Sequence, residues 1–192
     1  MSQFDNISSR EELIKKIKPK GVGVEVGVQA GVFSNCILEN CKDLKLYLID
    51  CWETQDFNIY PDIANVDLRS HAQALIHTIS LNWKFFDRLK IIKDFSKNAV
   101  TYFKDESLDF IYLDANHKSE AFIEDLSLWY PKLKIGGLFA GHDYIDESIE
   151  SGYGAKIEVK SAINNFSKEY DKIVYFTKEN PENGFPSWFF IK

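Results

Sequence analysis

A chain of 192 residues is long enough to bury one large core without disulfide or metal staples, so its simplest organisation is a single domain over residues 1–192, with an N-terminal helix in 1–19 packed against it. A formal charge of -6 and no stripe of Lys or Arg argue against a protein that grips nucleic acid by counterion release, and small or neutral substrates fit better. No early apolar run resembles a signal peptide and no segment is long enough to span a bilayer, so a cytoplasmic location without membrane partners is expected.

"SSREELIKKIKPKG" predicts an opening helix, because Ser9 and Glu12 stand at capping-box spacing, Leu13 and Ile17 share a face, and Pro19 with Gly21 ends it. "VGVEVGVQAGVFS" then alternates valine into a strand and leaves it through Gly27 and Gly31, after which Val32, Phe33, Cys36 and Ile37 recur at helical spacing. The glycines sit in a strand-to-helix turn. A turn that packs tightly and binds nothing is the plain reading; a ligand approaching the bare amides at the helix start is preferred, because the strand ends on Glu25.

"LKLYLID" is a second strand ending at Asp50, and "CWETQDFNIYPD" after it is an expected lid. "NVDLRSHAQALIHTISLNW" spaces Leu68, Ala72, Leu75, Ile76 and Ile79 as a helix, with His71 and His77 as surface or packing groups; "LKIIKDF" is a third strand, and Ser96 is placed to cap the next helix. "SLDFIYLDA" is a fourth strand ending at Asp114, "HKSEAFIEDLSLWYP" a helix stopped by Pro131, and "LKIGGLFAGHDY" a fifth strand interrupted by glycines. Such alternation calls for right-handed crossovers and a parallel sheet with helices on both faces. The end departs from it. "KIVYFT" and "SWFFIK" are strands joined by a turn-rich stretch too short for a helical crossover, so they should be antiparallel. The expected class is α/β: a Rossmann-like, doubly wound, three-layer sheet of seven strands, mostly parallel, with an antiparallel C-terminal hairpin. Cys36, Cys41 and Cys51 lack metal-ligand spacing and read as small core residues.

Ligands of open α/β sheets bind at the carboxyl ends of the strands. The first five strands finish on or beside Glu25, Asp50, Asp94, Asp114 and Asp143. Asp50 lies nineteen residues beyond Gly31, where a carboxylate accepts hydrogen bonds from the two hydroxyls of a ribose. Gly21, Gly23, Gly27 and Gly31 never form the G-x-G-x-x-G spacing of a dinucleotide pyrophosphate site, so an adenosine cofactor without phosphate, carrying a positive amino group near Glu25, fits better.

With "VEVGVQAG", "LYLID", "KDFS", the block "IYLDANHKSEAFIEDLSLWYPKLKIGGLFAGHDY" and the terminal "SWFFIK", the chain resembles class I S-adenosylmethionine-dependent methyltransferases over about residues 20 to 192, and more narrowly the macrocin and catechol type of small-molecule O-methyltransferase. The resemblance implies S-adenosylmethionine as cofactor and O-methylation of a small molecule or sugar. It places Glu25, Gly27 and Gly31 at the methionine part, Asp50 at the ribose, and Asp94, Phe95 and Ser96 at the adenine; Trp52 and Asp114 are counted with the cofactor contacts. Relatives that use a divalent ion ligate it from the ends of the fourth and fifth strands, which makes Asp114 and Asp143 candidate magnesium ligands. His142 departs from that pattern, and the alternative is a metal-free site in which His142 or His117 takes the acceptor's proton, so His142, Asp114 and Asp143 are the candidate catalytic groups. "YIDESIESGYG" and the lid segment would shape the acceptor pocket. A nicotinamide-dependent oxidoreductase and a non-catalytic adenosine-binding module are the rival readings. Homo-oligomerisation is compatible with the sequence.

Overall fold

Val24, Val26, Leu46, Leu48, Phe110, Ile111, Phe139 and Ala140 are all fully buried, as strands must be when helices cover both faces of their sheet. The computed structural model describes residues 4, 6–58, 60, 62, 64–147, 157–178 and 185–192. In chain order the elements are α1 (Arg10–Ile17), β1 (Gly21–Val26), α2 (Val32–Asn40), β2 (Leu44–Asp50), α3 (Leu68–Asn82), β3 (Leu89–Lys93), α4 (Ser96–Ala99), β4 (Leu108–Leu113), α5 (Ser119–Trp129), β5 (Leu133–Gly141), β6 (Asp146–Glu147), β7 (Ile157–Glu158), α6 (Val159–Glu169), β8 (Tyr175–Phe176) and β9 (Trp188–Ile191).

Seven strands form one sheet in the order β3-β2-β1-β4-β5-β9-β8, with β6 and β7 as a separate antiparallel pair. The first five strands are parallel, β9 runs antiparallel to β5, and β8 antiparallel to β9, as the turn-rich stretch between the last two strands predicted. One core gathers Val26, Ile111, Phe122, Trp129, Ile163 and Trp188 under α5 and α6; the other gathers Leu13, Ile14, Phe33, Ile37, Leu48 and Phe110 under α1 and α2. Strand order reverses between β1 and β4, which opens a crevice at their carboxyl ends.

The capping box at α1 forms with a variation. Ser9 Oγ accepts from the Glu12 amide at 3.3 Å, while Glu12 reaches back one residue further, to the Ser8 amide at 2.7 Å. α4 departs from expectation more clearly: Ser96 is its first residue, the N-cap position is held by Phe95 with no side-chain cap, Asp94 accepts from the Phe95 amide at 2.8 Å and Asn98 Nδ2 at 2.9 Å, and the Ser96 hydroxyl points away to Asp125. The apolar spacing of α3 does not mark its buried side. Its buried residues are Thr78 and Asn82, whereas Leu68 and Ile76 are each 63% exposed, because the polar edge of the helix binds the loop after β1. Val32 likewise faces outward while Phe33 and Ile37 are buried. Of the segment expected to shape the acceptor pocket, residues 148–154 lie outside the described residues. Among the described residues no helix is long and apolar enough to cross a membrane.

Gly27 is a glycine because of its own chain. It has φ 87°, and a Cβ there would lie 1.9 Å from the carbonyl oxygen of Asp114. Gly31 has φ 71°, and its missing side chain makes room for Thr78 and Asn82. The close approach anticipated at this turn is thus made by β4 and α3. Gly27→Ala should therefore cost ~3 kcal/mol or more, read from urea unfolding followed by circular dichroism, since backbone cannot step aside as a flexible side chain can. A loss below about 1 kcal/mol would show that β4 yields easily.

Candidate active site

The loop from Gly27 to Gly31 is tied down from three sides. Asp50 Oδ2 accepts from the amides of Val28 at 2.9 Å and Gln29 at 2.8 Å, while its Oδ1 accepts from the Trp52 amide at 2.8 Å. The Trp52 indole N–H donates to the Gln29 carbonyl at 2.7 Å, and Asn82 Nδ2 donates to the Gly31 carbonyl at 3.1 Å. A loop so held keeps the carboxyl end of β1 open. A cavity of about 550 Å³ lies there.

Glu25, Gly27, Asp50, Asp94, Phe95, Ser96, Asp114 and Asp143 all line this cavity, so most of the residues singled out from sequence converge on one space. Gly31, Trp52 and His142 do not line it. Trp52 is buried beneath the loop it supports, and His142 stands behind Asp143 with Nδ1 2.9 Å from Asp143 Oδ1. Along one wall run Asp94, Phe95 and Ser96; the Asp94 carboxylate also accepts from the Tyr102 hydroxyl at 2.6 Å. Burial pushes the Asp125 carboxyl, which receives the Ser96 hydroxyl, up to about 6. At the other end Glu25 is buried and bonded by the Ser34 hydroxyl, and desolvation pushes its carboxyl up to about 8, so it is protonated at neutral pH.

Beside Asp114 the cavity carries a mixed cluster. His117 Nδ1 lies 3.2 Å from Asp62 Oδ2, and its Nε2 lies 2.6 Å from Asp143 Oδ2 and 3.6 Å from Asp114 Oδ1. Nε2 is buried, yet no oxygen lies in line with it for a hydrogen bond. Burial opposes charge on this ring, but Asp114, Asp143 and Asp62 outweigh it and raise the His117 pKa well above the ordinary histidine value. Burial likewise opposes ionisation of Asp143, and the two histidines overcome it, holding its carboxyl below the usual carboxylate range. Asp143 also adopts φ 54°, a left-handed conformation uncommon outside glycine. Asp114, His117 and Asp143 each offer one ligand atom, all within 4.8 Å of one another. An imidazole whose far nitrogen rests on a carboxylate, with its near nitrogen beside two more, suits a divalent cation, manganese or iron as well as magnesium.

Several cavity residues carried no sequence signal of their own. Asp62 and Tyr60 lie inside the segment read as a lid, and Asp62 meets His117 only through the fold. His71, read as a surface or packing group, also lines the cavity. Arg10 reaches in from α1, with Nη1 3.1 Å from Asp114 Oδ2.

Residues 24–144 match the family model described as a methyltransferase domain, and the chain belongs to that family. It is an S-adenosylmethionine-dependent methyltransferase, which sets aside the oxidoreductase and the non-catalytic readings. No curated protein matches the chain in sequence. Among solved structures it is similar to an rRNA methylase from Streptococcus thermophilus, with a TM-score of 0.61 and 14% identity over 95% of this chain and 93% of that one. A Staphylococcus aureus protein assigned as a caffeoyl-CoA O-methyltransferase gives 0.65 and 14% over 95% and 80%. A spermidine synthase in complex with the transition-state analogue AdoDATO gives 0.59 and 18% over 96% and 57%, so this chain spans little more than half of that enzyme. At such identities the likeness is one of fold.

The state of Glu25 has a measurable consequence. Its ordinary value is 4.5 and its folded value about 8, so between those pH values the unfolded chain ionises while the folded one stays protonated. Stability contributed by this group is full below the lower value and falls as pH rises toward the upper one. Glu25→Gln lacks that slope. The melting temperature of the variant should gain on wild type by roughly ten degrees between about pH 5 and pH 8, since about three pH units at about 1.4 kcal/mol each amount to roughly 4 kcal/mol, and a chain of this length shifts by about 2–4 °C per kcal/mol. A constant difference would mean that Glu25 ionises normally.

Proposed function

We propose that the chain transfers the methyl group of S-adenosylmethionine to an oxygen of a small molecule or sugar, as in the macrocin and catechol type of O-methyltransferase, with a divalent ion such as magnesium held by Asp114, His117 and Asp143. The observation that carries this reading is the convergence of those three side chains on the cavity wall next to Glu25 and Gly27.

In the transfer, the acceptor oxygen attacks the methyl carbon as the carbon–sulfur bond breaks, leaving a methyl ether, a neutral thioether and a released proton. Asp50, with Asp94, Phe95 and Ser96, would fix the adenosine end and so set the line of attack, and that alignment supplies much of the acceleration. When bound, the ion supplies a positive charge that makes a coordinated hydroxyl more acidic. Asp62 beside His117 Nδ1 keeps the ring turned so that Nε2 faces Asp114 and Asp143, and His142 supports Asp143 from behind. A metal ligand is a neutral imidazole, so to hold an ion at Nε2 His117 would give up the proton that Asp114, Asp143 and Asp62 favour on it. The net charge of -6 supports a small acceptor over a nucleic acid.

Formation of S-adenosylhomocysteine over a panel of phenolic and sugar hydroxyls tests this. Chelation should abolish it and added magnesium or manganese restore it, while Asp143→Asn should raise the metal needed by about 10- to 100-fold and leave cofactor affinity nearly unchanged. Full activity in chelator, together with an active Asp114→Asn variant, would overturn the metal and leave a histidine as the base.

A further inference from the structure

Eight carboxyl groups line the cavity against two permanent cations, Arg10 and Lys97, among the described residues. Such a wall suits a cationic cofactor. It repels any carboxylate that the cofactor carries, unless that group meets one of the two cations. Lys97 belongs to α4, which follows β3, whereas Arg10 rests on Asp114, which follows β4. Those strands flank the β2–β1 pair on opposite sides, three strand spacings or roughly 14 Å apart. With the ribose at Asp50 on β2 and the adenine toward Phe95 and Ser96, the amino-acid end of the cofactor lies toward β1 and β4, on the Arg10 side.

We infer that Arg10, outside the residues matched by the methyltransferase model, is the cofactor's carboxylate-binding residue, which makes α1 part of the cofactor site. Several observations converge on it. The Arg10 guanidinium lines the cavity together with Glu25, Gly27 and Phe33, and it lies 4.6 Å from the Phe33 ring centre, with Nη1 3.1 Å from Asp114 Oδ2. Its side chain is 26% exposed, so the head group is neither sealed in the core nor loose in solvent. The Ser9 cap fixes where α1 begins and so places Arg10 in its first turn. Arg10 Nε also faces Glu11 at 3.5 Å and Tyr112 bonds the head group, and the planar fork of five N–H donors would hold a ligand carboxylate alongside these partners and Asp114. The zwitterionic end of the cofactor would then have its anion on Arg10, with its ammonium facing the carboxylates of Asp114 and, once ionised, Glu25. This inference rests on the methyltransferase cofactor reading.

Calorimetry with two ligands separates the two. S-Adenosylhomocysteine carries the amino-acid carboxylate, and 5′-methylthioadenosine is its adenosine part without it. Arg10→Gln should weaken S-adenosylhomocysteine roughly 10- to 100-fold and leave methylthioadenosine unchanged, with Arg10→Lys recovering part of the loss. Retained methylthioadenosine binding also shows that the variant is folded. Equal affinity of wild type and Arg10→Gln for S-adenosylhomocysteine would overturn the inference, and so would an equal loss for both ligands, which would make Arg10 a prop for Asp114. A wild type that binds neither ligand would overturn the cofactor assignment itself, and this inference with it.

Discussion

Everything at this site depends on one carboxylate gathering backbone amides. Asp50 closes β2 and takes the N–H groups of Val28, Gln29 and Trp52, so a loop that leaves β1 is anchored by the strand beside it. A carboxylate accepting several backbone N–H bonds is strongly held, and losing it would leave three amides in need of partners. Trp52 and Asn82 complete the anchoring through the carbonyls of Gln29 and Gly31. Gly27 lets the carbonyl of Asp114 pass where a side chain would stand, so the ends of β1, β2 and β4 are locked in mutual position. The cavity is what remains between them.

Its electrostatics follow from that closeness. Carboxyl groups on adjacent strand ends cannot all stay charged and unpaired. Glu25 answers by keeping its proton, Asp143 by sitting between two histidines, and Asp114 by its contact with Arg10. A sulfonium cofactor brings a positive charge into this field, and a divalent ion would bring more. The same closeness of carboxyl groups therefore favours cationic ligands.

The fold was largely legible because its signals are local and repeated: strand, glycine turn or cap, helix, and a final pair of strands joined too briefly for a crossover. The strand-end carboxylates were legible for the same reason, since strand ends can be read and Asp50, Asp94 and Asp114 stand on them. What could not be read is pairing across the chain. Asp62 and His117 are 55 residues apart, and Arg10 and Asp114 are 104 apart. The polarity of α3 was equally hidden, because Thr78 and Asn82 turn inward only to meet the carbonyls of the loop after β1. Ser96 looked like a cap by residue type, but it is the first residue of α4 rather than the one before it, and its hydroxyl found Asp125. Gly27 and Gly31 were correctly placed in a turn, with the protein's own backbone and side chains as the neighbours that require them.

The central claim is that an acidic crevice at the β1–β4 switch point holds an adenosine cofactor lacking a pyrophosphate. Its most direct test is calorimetric titration of the purified wild-type chain with S-adenosylmethionine and, separately, with NAD. Saturable one-to-one binding of S-adenosylmethionine with no heat from NAD is the expected result, because a carboxylate, Asp50, ends β2 at the cavity and the glycines lack dinucleotide spacing. Tight NAD binding with no response to S-adenosylmethionine would contradict it.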